Sequence, residues 1–535
     1  MIRVNNIKAN LEVDLEGLKE IVSMKTGLDP EYIKSIRIAK KSIDARNKTD
    51  VCFVYSIDME VRGDEEYILS ILAWKDCELV KNETFIPALR LTPKSRPIIV
   101  GTGPAGMFAG LALAEMGMKP ILLERGKEVS RRQQDIKTFW EKGKLNTNSN
   151  VQFGEGGAGT FSDGKLMTGI KKTPFMRKVL QELTEAGAPE EILYLAKPHI
   201  GTDKLVTVVA NIRKKITSLG GEYRFEHQVT DLIIKDNKIQ GVKVKKADGE
   251  IEEIASDCVI LALGHSARDT FQMLYERGIQ IEQKPFSVGV RIEHRQTMIN
   301  QSQYGRYANH PALGAADYKL AVHYPDGRSA YTFCMCPGGQ VVAAASEENT
   351  VVTNGMSEFA RDKENANAAL LVGVTPEDFG GNHPLQGMYF QQQLEHKAFE
   401  LGGKNYHAPI QLVGDFLRMR PSHKLGDVAP SYTPGVTPTD LSLLFPEYVT
   451  ATLAKAIVDM DKKLHGFADD NAIMTGVETR SSSPIRIYRD ENFESNIKGL
   501  FPCGEGAGYA GGIVSSAVDG LKICLQEDTK KAGVK

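Results

Sequence analysis

Residues 97–126 read PIIVGTGPAGMFAGLALAEMGMKPILLERG, and this stretch decides the fold. The apolar run at residues 98–100 predicts a buried strand that runs into Gly101, Gly103 and Gly106, the G-x-G-x-x-G spacing. Each glycine answers a separate steric need: a tight turn, bare backbone against a pyrophosphate, and close packing of helix on strand. The helix that follows, opened by Pro104 and Ala105, turns free N–H groups and the positive end of its dipole toward a phosphate. A second strand over residues 120–123 ends in Glu124, 23 positions beyond Gly101, with Arg125 next to it. A carboxylate there accepts hydrogen bonds from ribose hydroxyls. In a chain with 50 glycines the spacing alone is a weak signal. Here strand, turn, helix, strand and acid all fall in the order that dinucleotide binding requires.

Which dinucleotide is decided elsewhere. A nicotinamide-binding domain goes on winding β and α units, whereas this chain leaves after Gly126 and returns near its far end, in GLFPCGEGAGYAGGIVSSAVDGLKIC at residues 499–524. That segment predicts a strand, the pair Gly504-Glu505, a glycine loop and a helix. Glu505 suits ribityl or pyrophosphate-side hydroxyls. A helix starting near Gly511, Gly512 and Ile513 aims its positive end at a flavin carbonyl, favouring negative charge on the reduced ring. A third segment, VQFGEGGAGTFSDGKL at residues 151–166, lets backbone approach a flat ring or phosphate at Gly154, Gly156, Gly157 and Gly159, and offers donors at Thr160, Ser162 and Lys165. Its bland alternative is a flexible glycine loop. A fourth, CVILALG at residues 258–264, is a buried strand ending in Gly264. Together these point to FAD. No second nucleotide fingerprint follows, so NAD(P)H enters the reading only as a transient electron donor without a Rossmann domain of its own.

Composition sets outer limits. With 535 residues the chain has room for two to four domains of about 100–200 residues each. Hydrophobic content of 41%, charged content of 25% and a net charge of -2 describe a globular protein without the basic excess that draws nucleic acid or anionic lipid. The first residues, MIRVNNIKANLEVD, alternate polar and apolar side chains without the apolar core of a signal peptide, so a cytoplasmic protein without membrane contact is expected. The longest uncharged stretch, residues 97–114, contains four glycines and two prolines and reads as strand, turn and helix instead of a membrane span. Seven scattered cysteines make neither a disulfide scaffold nor a zinc site, and no metal is expected.

The expected architecture is mixed α/β and α+β. Residues 1–89 form a small N-terminal α+β module, with a helix at LEGLKEIVSMKTG and a strand at VCFVYSIDMEV. The linker LTPKSRP leads to the first part of a Rossmann-like FAD domain, residues 95–285, discontinuous in sequence. In it the helix LVTVVANIRKKITSLGG precedes a β-meander over residues 222–255, with turns at Asp-Asn and Asp-Gly, and then the buried strand before Gly264. Residues 286–470 are a mixed substrate-side domain, with helical spacing between His383 and Gly414. Residues 471–535 are the return of the FAD domain.

Few residues stand out for catalysis, because the flavin carries the hydride chemistry itself. Cys334 and Cys336 in FCMCPGG sit two apart on a strand and so face one side, where two thiols near a flavin exchange electrons. They lack the helix-start setting that lowers thiol pKa in C-x-x-C enzymes, so strand packing is the alternative. His265 and His294 are candidate proton donors, though a lone histidine is more often a structural hydrogen-bonder. Arg480, Ser481, Ser482 and Ser483 form a polar loop suited to an anion or to loop capping.

The segments KKSIDAR, SNVQFGEGGAGTFSDGKL, ALGHSARDTF, FSVGVRIEH, FCMCPGGQVV, NGMS and GVETRSSSPIRI, with the last glycine helix, resemble a bacterial family labelled FAD-dependent dehydrogenase or NAD(P)/FAD-dependent oxidoreductase, with a glutathione-reductase-like FAD fold. The resemblance covers nearly the whole chain. It implies that Gly101, Gly103, Gly106 and Glu124 hold the ADP half, that the loop from Gly156 to Ser162 lies by the pyrophosphate or flavin, and that Gly504, Glu505 and Gly512 hold the ribityl chain and ring. The more distant aminoacetone-oxidase-like flavoproteins share the layout, and their activity is not carried over. The expected function is an FAD-dependent oxidoreductase that passes a hydride through flavin N5 to or from a small organic substrate. The alternative is a flavin-binding module whose FAD is structural or sensory and whose N-terminal domain docks a protein or RNA.

Overall fold

Short apolar runs without polar alternation belong in strands covered on both faces. Four such strands, with the half-buried Glu222–Phe225 at one edge, form a parallel sheet in the order Leu500–Pro502, Val259–Leu261, Ile98–Val100, Ile121–Glu124, Glu222–Phe225. The computed structural model that shows this describes residues 1–80, 86–170 and 173–527. Parts of the expected first and last segments, residues 81–85 and 528–535, lie outside the described residues, as do 171–172.

One face of the sheet is covered by the helices Pro104–Glu115, Thr202–Ser218 and Ile513–Cys524, whose apolar side chains share a core with Ile99, Leu122 and Ile260. The other face carries a three-stranded antiparallel meander in the order Ile251–Ala255, Lys238–Lys246, His227–Lys235. Asp236 and Asn237 turn its first hairpin, both with left-handed φ, the backbone of a tight two-residue hairpin turn. The stretch EYRF, expected at the start of the meander, is instead the edge strand of the parallel sheet, paired with Ile121–Glu124. The chain turns at Gly220, φ +90°, after the helix Thr202–Ser218, and that crossover delivers Glu222–Phe225 parallel to its neighbour.

A second, eight-stranded sheet holds Ala321–His323, Ser329–Ala343, Asn365–Val374, Phe286–Arg295, Ile473–Glu478, Ala408–Leu412 and Val436–Pro438 in that order, with Thr353–Met356 paired to Ser329–Ala343. The strand Ile473–Glu478, fully buried, pairs with Phe286–Arg295, so the chain crosses back toward the parallel sheet after Glu478. The helix Gln386–Leu401 falls within the span of expected helical spacing.

At the N-terminus an antiparallel sheet runs Ile33–Asp44, Cys52–Val61, Ile2–Ala9, Cys77–Leu79, with the helix Leu15–Thr26 capped by Asp14 at one end and by left-handed Gly27 at the other. Its apolar core is continuous with that of the eight-stranded sheet, and Lys41 exchanges backbone hydrogen bonds with Tyr194 and Ala196. Among the described residues no helix is long and apolar enough to cross a membrane.

The helix Pro104–Glu115 is apolar all round and buried from Ala105 to Ala114, because the sheet lies under it and Ile513–Cys524 lies beside it. The two backbones meet at Gly520, where an added Cβ would stand 2.2 Å from Ala105 O. Gly520→Ala should therefore destabilise the protein by about 1–3 kcal/mol through overpacking, although alanine in a helix ordinarily gains about 1 kcal/mol over glycine. Thermal unfolding of the variant checks this, and an unchanged or higher Tm would contradict the close approach.

Candidate active site

In a parallel sheet the carboxyl ends of all strands open onto one crevice. Here that crevice receives Gly101, Glu124, Gly264 and Gly504 from four strands. Gly101 has φ +100°, and a Cβ there would stand 2.4 Å from Ala262 O. At Gly106 a Cβ would stand 1.9 Å from Gly101 O, so turn and helix close on each other. Gly103 differs: its nearest neighbour would be Gly157 Cα at 3.8 Å, which leaves the start of the helix open. No side chain caps that helix at Gly103, and Pro104 stands in its first turn.

Glu124 is only 6% exposed. Its Oε2 accepts from Thr102 N at 3.0 Å and Thr102 Oγ1 at 2.7 Å, and its Oε1 from Gly126 N and Gly154 N, both at 3.0 Å. Four donors fill the roughly four acceptor positions of a carboxylate. The acid expected at the ribose thus fastens three turns of the protein together, and a ribose hydroxyl reaches it only by sharing an oxygen with them. Arg125 lies over the Phe153 ring at 4.3 Å and donates to Asp269 and Thr270 at 2.8 and 3.1 Å. It lines a cleft of about 280 Å³ with Lys127, Glu226, Gln228 and Lys245.

The glycine loop at residues 151–166 is shaped by a residue the sequence reading passed over. Arg132 is fully buried, and its guanidinium donates to five carbonyls: Asn150 and Val151 at 2.8 Å, Glu155 at 2.7 Å, Gly157 at 2.9 Å and Gly154 at 3.3 Å. The signal was available, since Val129, Arg132, Ile136 and Phe139 share one stripe of the helix Val129–Lys142, and only the arginine there is polar. Gly154, Gly156 and Gly157 all have positive φ. A Cβ on Gly157 would stand 3.0 Å from Gly103 Cα, and one on Gly159 3.1 Å from Ile513 Cγ1, so the loop lies across the starts of both helices. Ser162 is occupied within the loop, donating to Gly159 O at 2.7 Å. Thr160 Oγ1 is buried without a partner among the described residues. Lys165 turns away from the two helix starts toward Asp163, 3.2 Å distant, and the two cysteines.

At the far end of the chain, Gly504 N donates to Asp519 at 2.8 Å, and Asp519 is paired with Arg489, also at 2.8 Å, so strand end and helix Ile513–Cys524 move as one. A Cβ on Gly506 would collide with Leu263 O at 2.2 Å, which joins this turn to the one before Gly264. At Gly264 and Gly511 a Cβ would meet nothing within 4 Å, and Gly512 caps the helix with no side-chain bond. The Glu505 carbonyl accepts from Gly508 N at 2.9 Å, while its carboxylate receives no hydrogen bond from the described residues. Burial pushes its carboxyl up to about 7, against the pull of Lys284 and with a further push from Cys334.

The remaining candidates divide. His265 lies beside Gly264, its Nδ1 2.9 Å from Ser266 Oγ. Burial, with Arg480 and Arg268 nearby, lowers it to about 3, so at neutral pH it is an uncharged imidazole and no imidazolium acid. His294 is not brought to the crevice: it is buried in the other sheet with Nε2 on Phe467 O at 2.8 Å. Arg480 is not free for an outside anion, because Glu395, 0% exposed, takes its Nε and Nη2 at 3.0 and 2.8 Å while Ser266 and Ser346 take Nη1. Ser483 donates to Gly506 O at 3.0 Å and Ser481 to Ser287 O, also at 3.0 Å.

Residues 285–481, the span of the eight-stranded sheet, match the family model described as FAD-dependent protein, C-terminal domain-like, and residues 1–60 match a domain of unknown function. Over 528 residues the chain is 49% identical to an uncharacterised protein of Clostridium beijerinckii, covering 98% of this chain and 97% of that one. The chain belongs to one family with that protein, and its residues 285–481 are the FAD-dependent protein, C-terminal domain-like part. Among solved structures it is similar to a glycerol-3-phosphate dehydrogenase from Bacillus halodurans complexed with FAD (13% identity, 80% of this chain and 64% of that one, TM-score 0.35). It is also similar to the flavin-dependent brominase Bmp2 (12% identity, 80% and 77%, TM-score 0.35).

The cofactor of this FAD-dependent protein is FAD. The crevice fits it on three counts: uncapped helix starts at Gly103 and Gly512, open glycine faces at Gly103, Gly264 and Gly511, and the buried, partnerless hydroxyl of Thr160. Removing the clamp under the glycine loop should empty it. Arg132→Met strands five buried carbonyls, a loss of about 3–5 kcal/mol. We expect the variant to purify with a low flavin-to-protein absorbance ratio and a lower Tm; full flavin content would show that the loop holds its shape without the arginine.

Proposed function

We propose that the protein is an FAD-dependent oxidoreductase that moves a hydride between flavin N5 and a small organic substrate, with a glutathione-reductase-like arrangement of its FAD domain. The observation that carries the reading is the meeting of four separate turns at one crevice, with an acid at neutral poise, Glu505, left without a protein partner. FAD supplies two-electron chemistry at its ring when bound. The chain's own residues do the rest.

In this reading residues 95–285 and the segment after Glu478 bind the cofactor, residues 286–478 cover the substrate side, and residues 1–80 form an N-terminal module whose core runs into that of the eight-stranded sheet. Gly101, Gly103 and Gly106 with the start of the helix Pro104–Glu115 take the pyrophosphate, and Arg125 borders the adenine end. Gly157 and Gly159 close over the junction of the two helices. Glu505 accepts a ribityl hydroxyl, and the start of the helix Ile513–Cys524 favours negative charge on the ring. Below about pH 7 Glu505 holds a proton, and above it the carboxylate adds a negative charge beside the cofactor. His265 serves as a neutral hydrogen-bonding wall by Gly264. NAD(P)H is a donor that visits the crevice without a fingerprint domain.

Two measurements test this. The purified protein should show the visible bands of oxidised flavin, bleach on anaerobic mixing with NADPH or NADH, and recover with a member of a metabolite panel. Protein that holds flavin yet stays inert to every donor would favour a structural or sensory role. The flavin midpoint potential should fall more steeply with pH across pH 7 in the wild type than in Glu505→Gln, because ionising the acid opposes electron uptake. Identical slopes would remove Glu505 from the ring's surroundings.

A further inference from the structure

We propose that Cys334 and Cys336 form a reversible disulfide that exchanges two electrons with the FAD. The two residues lie on the strand Ser329–Ala343, whose register against Asn365–Val374 shifts between Phe333 and Cys336. Cys334 has φ +43°, a left-handed backbone that a non-glycine residue seldom adopts. Residues two apart on a regular strand are separated by about 6.6 Å, near the upper limit of about 6.8 Å between the Cα atoms of a disulfide. A bulge at the first cysteine shortens that span. The side chain of Cys336 already turns back along the strand, its Sγ 3.3 Å from Cys334 O.

The surroundings give the two sulfurs different duties. Cys336 is 0% exposed, enclosed by Gly355, where a Cβ would stand 3.0 Å from its Sγ. Cys334 is half-buried. Arg291, fully buried and paired with Glu478 at 2.8 Å, donates to Cys334 O at 2.9 Å. Lys165 Nζ, buried and without a directed hydrogen bond, sends its charge toward both sulfurs. The thiol of Cys336 and these two cations hold Cys334 low, while Cys336 is held high. That is the division between an accessible thiolate and a buried resolving thiol. The segment that carries the two cysteines meets the glycine loop of the crevice: Ser357 Oγ donates to Pro337 O at 2.8 Å, Thr202 N to Ser357 O at 3.0 Å, and Thr202 Oγ1 to Thr160 O at 2.8 Å.

The step balances with no further reagent. The Cys334 thiolate and the Cys336 thiol join in an S–S bond, the S–H bond of Cys336 breaks, and two electrons and one proton pass to oxidised FAD; the reverse reopens the bond. The inference rests on FAD as cofactor and not on hydride transfer from an organic substrate, so it stands or falls separately from that reading.

The test uses the holoprotein. After oxidation and alkylation under denaturing conditions, the peptide carrying both cysteines should be unlabelled and lighter by two hydrogens, while the other five cysteines are labelled. Dithionite titration of the oxidised holoprotein should consume four electrons per FAD, falling to two in Cys336→Ser and in Cys334→Ser. Because the mass measurement is made on the wild type, it holds even where a variant fails to fold. Alkylation of both cysteines in oxidised protein, together with a two-electron titration, would overturn the proposal. A disulfide found only when FAD is absent would do so as well.

Discussion

One buried guanidinium sets the conditions for the cofactor crevice. Burying a charged arginine is costly unless every donor finds an acceptor, and Arg132 meets that demand by drawing five carbonyls of the glycine loop onto itself. The loop has little choice of shape as a result. Its glycines take positive φ because the carbonyls must turn inward, and one of them, Gly154, leaves no room for a Cβ beside the arginine Cδ, 2.4 Å away. Glu124 and Glu155 complete the arrangement. The first collects N–H groups from three turns, and the second takes Val129 N and the Arg213 side chain. Charge, hydrogen bonding and glycine content are thus one constraint seen from three sides.

A similar logic joins the two large sheets. Glu395, with no exposure of its own, lies on the helix Gln386–Leu401 and binds both Arg480, just after the eight-stranded sheet, and Arg268, which follows the parallel-sheet strand Val259–Leu261. Such groups add little net stability over apolar replacements, but a wrongly docked sheet would leave them unpaired, which is severely unfavourable. They therefore select one docking over its neighbours. The elements that carry Cys334, Glu505 and Gly264 come from both sheets, so this selection fixes the crevice too.

The local part of this structure was legible in the sequence. The strand Ile98–Val100, the three glycines after it and the terminal helix beginning at Ile513 all follow from steric rules that act over a few residues. What was not legible depends on partners far away in the chain. Arg480 reads as an anion site until Glu395 is placed on it, and Glu124 reads as a ribose acceptor until Gly154 and Thr102 fill its oxygens. His294 reads as a proton donor until Phe467 claims it. EYRF reads as the first strand of the meander, because pattern does not say which neighbour a strand will choose. Arg132 was missed for a different reason: a charge on an apolar stripe is unusual enough to be discounted, although that placement was the clue.

The strand Leu500–Pro502 is an edge of the parallel sheet, and beyond it Leu525–Glu527 pairs with Pro87–Leu89. This has a consequence for synthesis. A ribosome adds about 5–20 residues per second, and N-terminal parts fold as they emerge. The fingerprint at Gly101 is made early, but the turn at Gly504 and the helix start at Gly512 emerge about 400 residues later. Between those moments the nascent chain holds half a cradle whose apolar helix Pro104–Glu115 packs on the sheet and on Thr202–Ser218 but lacks its neighbour Ile513–Cys524. A complete cradle therefore requires the helix Ile513–Cys524, and a chain cut before it would leave the apolar flank of Pro104–Glu115 that this helix covers exposed to water.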